Sequence, residues 1–488
     1  MKKRLTLLDS GWLTMETPET PMHVGGMMLY KIPDNAPESY MQDMLKWMMD
    51  VKEVSRPFNR KLKSALPMNL DAGWVEEQDI DIDYHIRHSA LPRPGRIREL
   101  LSLVSRLHAQ RMDRQHPLWE VYLIEGIEDN RFAVYIKIHH SLVDGVAAMR
   151  ILQSRFATSA DQKLPPPWSA EWEDIQGKPK KGLKRKGPGL GESVRAMGNV
   201  ALNLVKAAAT PKESHVKSIY KAPPTVLNKK VHPARRFAAQ SWSLPRLKKV
   251  AKQYNATLND VVLAMCGGAL REYLLGYATL PEHSLVANVP VSVRSADAAD
   301  EDGNAISTVQ VTLGTKIKKA SSRIKAVQES MAAAKEKLNS MSKVEIDTHT
   351  IMTSLPLLAG QVSRLDGRLP VLFNVVVSNV PGPKETLYLN GAELLANYPA
   401  SLIFHGYAMN ITVQSYKDSL DFGVMACRES APKVQRMLDL LELALIELEQ
   451  EAGQKAFKGQ ETEPVAKATQ TPKAANENAG GKPASKVA

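Results

Sequence analysis

The chain has 488 residues, 43% of them hydrophobic, and a formal net charge of +12. That length favours two or three domains, and that apolar share can build a core in each, so disorder of the whole chain is excluded. The charge is local: residues 176–236 hold fifteen Lys/Arg against two acids, leaving the rest nearly neutral, and with almost no interleaved aromatic residues nucleic acid is not expected as a partner.

The chain opens on "MKKRLTLLDSGWLTM", where Asp9 and Ser10 interrupt the apolar run before a secretory leader can form. No run of about 18 apolar residues follows, so no membrane-spanning helix is expected. "MHVGGMMLYKI" reads as a strand, and "PESYMQDMLKWMMDV" and "GRIRELLSLVSRLHAQRM" as helices. "WEVYLIEGI" and "RFAVYIKIH", joined by "EDN", read as a hairpin, and "GVAAMRILQSRF" returns to helical spacing. After "KLPPPWSAEWED" comes the basic stretch "GKPKKGLKRKGPGLG", then "ESVRAMGNVALNLVKAAA" with an apolar helical stripe. Such a segment suits either an anionic membrane surface or a solvated interdomain linker packed by one helix.

Beyond it, "LPRLKKVAKQYN", "NDVVLAMCGGALREYLLGYA", "SSRIKAVQESMAAAKEKLNSM" and "PKVQRMLDLLELALIELEQEA" read as helices. "LVANVPVSVR" and "VLFNVVVSNV" read as strands, and "MNITVQSYKDSLDFGVMAC" as a hairpin turning at Lys417–Ser419. All seven tryptophans precede residue 243, which marks a compositional boundary. The expected organisation is an N-terminal domain (1–175), a basic linker with an amphipathic helix (176–236), a C-terminal domain (237–456) and a disordered tail (457–488). Both halves mix helices and sheets, so the class is α/β or α+β. Cys266 and Cys427 lie far apart in apolar surroundings, which suits two reduced, buried thiols in a cytoplasmic protein.

Chemistry concentrates in "IKIHHSLVDG". On a strand, Phe132, Val134, Ile136, Ile138 and His140 share one face, and Ala133, Tyr135, Lys137 and His139 the other. Adjacent histidines therefore cannot converge on one ion, and no metal is implied. A single imidazole base is the economical reading, against the blander one of an ordinary polar pair. Asp144, on a turn relieved by Gly145, either holds an imidazole or pins the turn through an arginine, for which Arg294 is the candidate.

"HHSLVDG" resembles the HHxxxDG motif of CoA-dependent acyltransferases related to chloramphenicol acetyltransferase and to peptide-synthetase condensation domains. With "PMHVGG" (21–26), "HPLWE" (116–120), "LNDVVLA" (258–264) and "SNVPGP" (378–383), the chain is similar, from about residue 5 to 450, to the bacterial wax ester synthase/acyl-CoA:diacylglycerol acyltransferase family. The resemblance implies a two-domain chloramphenicol acetyltransferase-like fold with an interdomain tunnel. It implies that His140 is the general base on the acceptor hydroxyl, with His139 supporting and Asp144 mainly structural. The wider superfamily's DFGWG-like motif here reads Asp421, Phe422, Gly423, Val424, Met425, a departure after Gly423.

The residues agree with direct transfer, since no G-x-S-x-G nucleophile elbow is present. Thr257 and Asp260 resemble a capping box that places Asn259 in a helix's first turn, near free backbone N–H groups; Asn259 either contacts the reacting centre or only helps start the helix. Asn374 and Ser378 share a strand face and either line a substrate channel or are structural, with a type II turn expected at Pro381-Gly382. His23 in "PMHVGG" is open between the same two readings, and the core one is favoured. The expected reaction moves a fatty acyl group from acyl-CoA, a substrate and not a cofactor, to long-chain fatty alcohols and to diacylglycerol. The expected location is cytoplasmic, peripheral to the inner membrane face or lipid droplets. Rivals are an HHxxxDG acyltransferase with another acceptor and a non-catalytic lipid-surface binding protein.

Overall fold

The computed structural model describes residues 3–5, 7–64, 73–143, 148, 151–176, 222–292, 306–340 and 371–453. Its strands are β1 (Lys3–Arg4), β2 (His23–Lys31), β3 (Arg60–Leu62), β4 (Gly73–Glu76), β5 (Ile86–Ala90), β6 (Trp119–Ile127), β7 (Arg131–His139), β8 (Arg235–Ser243), β9 (Val286–Ser292), β10 (Ile306–Thr312), β11 (Val375–Val380), β12 (Tyr388–Leu389), β13 (Ala392–Ala400), β14 (Met409–Tyr416) and β15 (Ser419–Cys427). Two six-stranded sheets, ordered β12-β13-β2-β7-β6-β5 and β10-β9-β11-β14-β15-β8, carry the molecule; a small β1-β4-β3 sheet accompanies them.

The alternation read in β7 decides how the first sheet packs. Phe132, Val134, Ile136 and Ile138 enter a core with Met41, Met44 and Met48 of the Tyr40–Met49 helix. Ala133 and Tyr135 enter a second core with Ile97, Leu100, Leu101 and Val104 of the Ile97–Ala109 helix. With both faces covered, the strand can be apolar on both sides, as buried strands are.

The second sheet treats its faces differently. Val375, Val377, Met409, Ile411 and Val413 pack into a core with the Leu244–Gln253, Leu258–Leu275, Ala320–Asn339 and Arg436–Glu451 helices. The other face carries the buried polar residues Asn410, Thr412 and Gln414, which alternate with that apolar set along β14. Toward this face lies β13, which comes from the second half of the chain yet pairs antiparallel with β2, from Glu393 opposite Lys31 to Ala400 opposite Gly25. Residues 388–400 therefore complete a sheet otherwise built from residues 23–139.

Two features lock the sheets together. Asp421 is fully buried; one carboxylate oxygen accepts the Ser241 and Ser419 hydroxyls at 2.7 and 2.8 Å, and the other accepts the Asn397 N–H of β13 at 2.8 Å. Burial pushes its pKa up to about 6, although these three donors pull it back. Beside it, a Cβ at Gly423 would stand 1.8 Å from the Pro399 carbonyl oxygen, so β15 and β13 approach closely only because that position lacks a side chain.

The expected type II turn at Pro381-Gly382 is not formed. Gly382 does not take the positive φ such a turn requires. Its glycine serves proximity instead: a Cβ there would lie 1.9 Å from the Ser415 carbonyl oxygen, and its N–H donates to Ser415 Oγ at 3.0 Å. Both cysteines are free and buried. The linker helix, expected within 192–209, and the tail, 457–488, lie outside the described residues. Among the described residues no helix is long and apolar enough to cross a membrane.

Gly423→Ala should destabilise the fold by about 1–3 kcal/mol, the usual cost of overpacking a filled core, read as a lower denaturation midpoint at unchanged slope.

Candidate active site

β7 lies between β2 and β6, and its end is held from both sides. His139 N–H donates to the Leu118 carbonyl at 3.0 Å and His140 N–H to the Met22 carbonyl at 2.9 Å. "HPLWE" explains the first contact. Trp119 is fully buried, donates its indole N–H to the Phe58 carbonyl at 2.7 Å and stacks on His85, which fixes Leu118 beside it.

The two rings then go separate ways. His139 is 1% exposed; its Nδ1 accepts the Ser141 backbone N–H at 3.1 Å and lies 2.6 Å from Ser141 Oγ. An Nδ1 that accepts a peptide N–H leaves Nε2 as the protonated nitrogen of the neutral tautomer, and Nε2 lies 3.5 Å from Glu16 Oε1. His140, half-buried, stacks instead on Trp12, with ring centroids 4.3 Å apart and planes at 26°. Asp144, Gly145 and Arg294 lie outside the described residues.

His23 stands opposite His139 in the β2–β7 register, fully buried, and donates Nε2–H to the His108 carbonyl at 3.0 Å. Burial, then the neighbouring His108, Lys137 and His139, hold its pKa well below the ordinary histidine range. His108 donates Nε2–H to the Ser401 carbonyl at 3.1 Å and accepts the Tyr135 hydroxyl at 2.7 Å. Burial and the nearby Arg235 push it down to about 3. Both imidazoles are thus held neutral, and His108 links the two halves of the chain through Ser401.

Glu16 is the anion of this region. Burial opposes its ionisation, but the His139 contact, the Arg114 guanidinium at 3.0 Å and the Met22 N–H at 3.2 Å together hold it at about 2. Nothing in the sequence motifs marked Trp12, Glu16 or Arg114. Their one signal is the four-residue spacing of Trp12 and Glu16 in "WLTME", which shares a helix face.

Beside the histidines the two halves meet in an apolar cluster. Met15 and Met22 pack there with Leu372, Phe373, Leu402, Phe404 and Tyr407, and with the partly buried Trp12, Val24, Val286 and Val376. Ser378 is half-buried on the same strand face as Val376 and lies opposite Thr412. Asn374, just before β11, is fully buried. Its amide donates to the Pro223 carbonyl at 2.6 Å and to Asn228 Oδ1 at 2.8 Å, and its oxygen accepts the Val286 N–H at 2.9 Å. That is a brace between three segments.

The expected capping box is present: Thr257 Oγ1 donates to Asp260 Oδ2 at 2.7 Å and accepts the Asp260 N–H at 3.2 Å. Asn259 is half-buried in that first turn, on a helix that packs against the apolar face of the second sheet and not the face turned toward β13. The structure thus brings His139, His140, Trp12 and Glu16 together, and carries Ser378 and Asn259 on separate layers. Among the described residues no three His, Cys, Asp or Glu side chains gather as metal ligands would.

Two interlocked α/β halves, with a histidine pair at the end of a central strand where their cores meet, make a condensation-domain-like fold. The first condensation domain of the calcium-dependent antibiotic synthetase, 14% identical, superposes with a TM-score of 0.54 over 93% of this chain and 96% of its own, a likeness of fold alone. The wax ester synthase/diacylglycerol acyltransferase catalytic domain model matches residues 5–262, and the WS/DGAT C-terminal domain model residues 302–449. The chain belongs to this wax ester synthase/diacylglycerol acyltransferase family and is an O-acyltransferase. The wax ester synthase/diacylglycerol acyltransferase of Marinobacter aquaeolei VT8 is 40% identical and superposes with a TM-score of 0.76, over 92% of this chain and all of that one. The O-acyltransferase WSD of Acinetobacter baylyi is 40% identical over 445 residues, covering 89% of this chain and 94% of its own. A putative diacylglycerol O-acyltransferase of Mycobacterium tuberculosis is 40% identical over 447 residues, covering 91% and 99%.

Asn374→Ala should cost about 1–3 kcal/mol for each buried partner left unpaired, whereas Ser378→Ala should change stability little; chemical denaturation of both variants checks the contrast.

Proposed function

We propose that this enzyme transfers a fatty acyl group from acyl-CoA to the hydroxyl of a long-chain alcohol, giving a wax ester, and of diacylglycerol, giving triacylglycerol. The observation that carries the reading is the contrast within the pair: His139 is buried against Glu16 and Ser141, while His140, just past the end of β7, is only partly buried and stacks on Trp12. His140 takes the proton of the acceptor hydroxyl as its oxygen attacks the thioester carbonyl. The tetrahedral intermediate then collapses, expels the CoA thiolate, and the proton passes from the imidazolium to the sulfur. A base so placed contributes about 10²–10⁴-fold, and holding both substrates together adds orientation.

Asp144 acts as turn anchor in this reading. Ser378 and, from the helical layer, Asn259 are the substrate contacts of this reading, with Asn374 a brace just before the strand of Ser378. The apolar seam cluster supports a site for alkyl chains beside the histidines, and the names of the relatives, wax ester synthase/diacylglycerol acyltransferase among them, support the two acceptor classes. Oily substrates and a basic segment support peripheral attachment to the cytoplasmic face of the membrane or to lipid droplets.

With palmitoyl-CoA and hexadecanol or diacylglycerol, His140→Ala should lower thiol release by at least about 100-fold while the thermal unfolding transition persists. His139→Ala should be milder in turnover; near-wild-type turnover of His140→Ala would refute the base. Deletion of residues 178–186 should weaken binding to vesicles of anionic phospholipid, and unchanged binding removes the membrane role of that segment.

A further inference from the structure

Trp12 and Glu16 are four residues apart on the face of the Leu7–Met15 helix and the turn that ends it. Trp12 lies flat on His140 and Glu16 faces His139, so the helix and the residue that follows it reach both histidines. We infer that this helix is a clamp on the histidine pair, with Trp12 and Glu16 as positioning residues for His140; the inference rests on the general-base reading above.

The connections are specific. Glu16 Oε1 accepts the Met22 N–H at 3.2 Å, and the Met22 carbonyl in turn accepts the His140 N–H, so the carboxylate reaches the backbone of His140 through one residue. Arg114 fixes the clamp from behind. Its Nη2 donates to the Leu13 carbonyl at 2.6 Å, satisfying an acceptor in the last turn of the helix, and to Glu16 Oε2 at 3.0 Å. Arg235 of β8 holds the following turn through the Glu19 carbonyl, so the clamp also depends on the C-terminal half being docked.

Burying a carboxylate–guanidinium pair is a poor way to gain stability, because desolvation offsets most of the attraction. A side chain that is 2% exposed, ionised and aimed at a histidine of the reactive pair is better explained by the work it does on that pair. Among the described residues, the other titratable and charged groups around His139 are His23 on β2, Lys137 on β7 with its partner Glu120 on β6 at 2.9 Å, His108 on the Ile97–Ala109 helix, and Arg114. Glu16 is the acid of this group that touches His139.

An anion here favours the imidazolium formed during attack, and a cation disfavours it. Glu16→Gln keeps the shape and the acceptor for Met22 but removes the charge. Its kcat should fall tenfold or more with KM within twofold, and the acid limb of the kcat/KM profile should move to lower pH. Arg114→Gln leaves Glu16 ionised and removes the opposing cation, so the same limb should move to higher pH. Opposite displacements support the clamp, because general loosening of the fold has no reason to produce them; unmoved limbs, or displacements of one sign, overturn it. Should Glu16→Gln fail to fold, Arg114→Gln decides alone: an upward displacement supports, and an unmoved or downward limb overturns. Trp12→Ala should lower kcat and Trp12→Phe recover most of it; wild-type kcat for Trp12→Ala removes Trp12 from the clamp. An inactive His140→Ala beside an unaltered Glu16→Gln overturns the clamp and leaves the base, whereas an active His140→Ala overturns the base itself.

Discussion

Two carbonyl oxygens decide where the central strand stops. Leu118, one residue before β6, and Met22, one residue before β2, accept the N–H groups of His139 and His140 from opposite sides. Because successive residues of an extended chain point to opposite faces, that pair of bonds also sends the two imidazoles apart. The division of labour within the histidine pair is therefore a property of the sheet before it is a property of the side chains. Everything placed near the pair, from the Trp119 anchor to the apolar seam, presupposes that ending.

Around this point the molecule keeps charge in pairs and imidazoles neutral. His23 and His108 are hydrogen-bonded to backbone carbonyls in a buried layer, where desolvation disfavours their protonation. Lys137 is sealed against Glu120 and the Leu107 and Gln110 carbonyls, and Glu16 against Arg114. Protonation of these two imidazoles is thus disfavoured, and the paired charges set a fixed field in a region of low dielectric. Asp421 and Gly423 serve the same site from a distance by holding the second sheet against β13.

Much of this was legible in the sequence, and its limits have physical causes. Strong periodicities, in β7, in the four long C-terminal helices and in the hairpin turning at Lys417 and Asp418, mapped onto elements because local burial dictates them. The Thr257–Asp260 capping box was legible because it is local chemistry. The Leu7–Met15 helix was not: its run "LLDSGWLTM" contains a glycine and an aspartate, and it owes its stability to Arg114 and to packing of Trp12 and Met15 on distant partners. "AELLANYPA" was missed as a strand because its partner, β2, lies more than three hundred residues earlier. The sequence suggests a turn conformation for Gly382, whereas its role is closeness to Ser415, which no local pattern can reveal. Asn374 and Ser378 share parity in sequence, but only tertiary contacts separate a braced amide from a half-open hydroxyl.

The return of residues 388–400 to the sheet of residues 23–139 has a consequence for how the protein is made. Until β13 has left the ribosome, β2 is an open edge presenting a row of unsatisfied peptide groups beside apolar Met27, Met28 and Leu29. For most of its synthesis the nascent chain is thus a sheet lacking its last-made strands, and that edge is where a chaperone would be needed and where premature release would lead to aggregation.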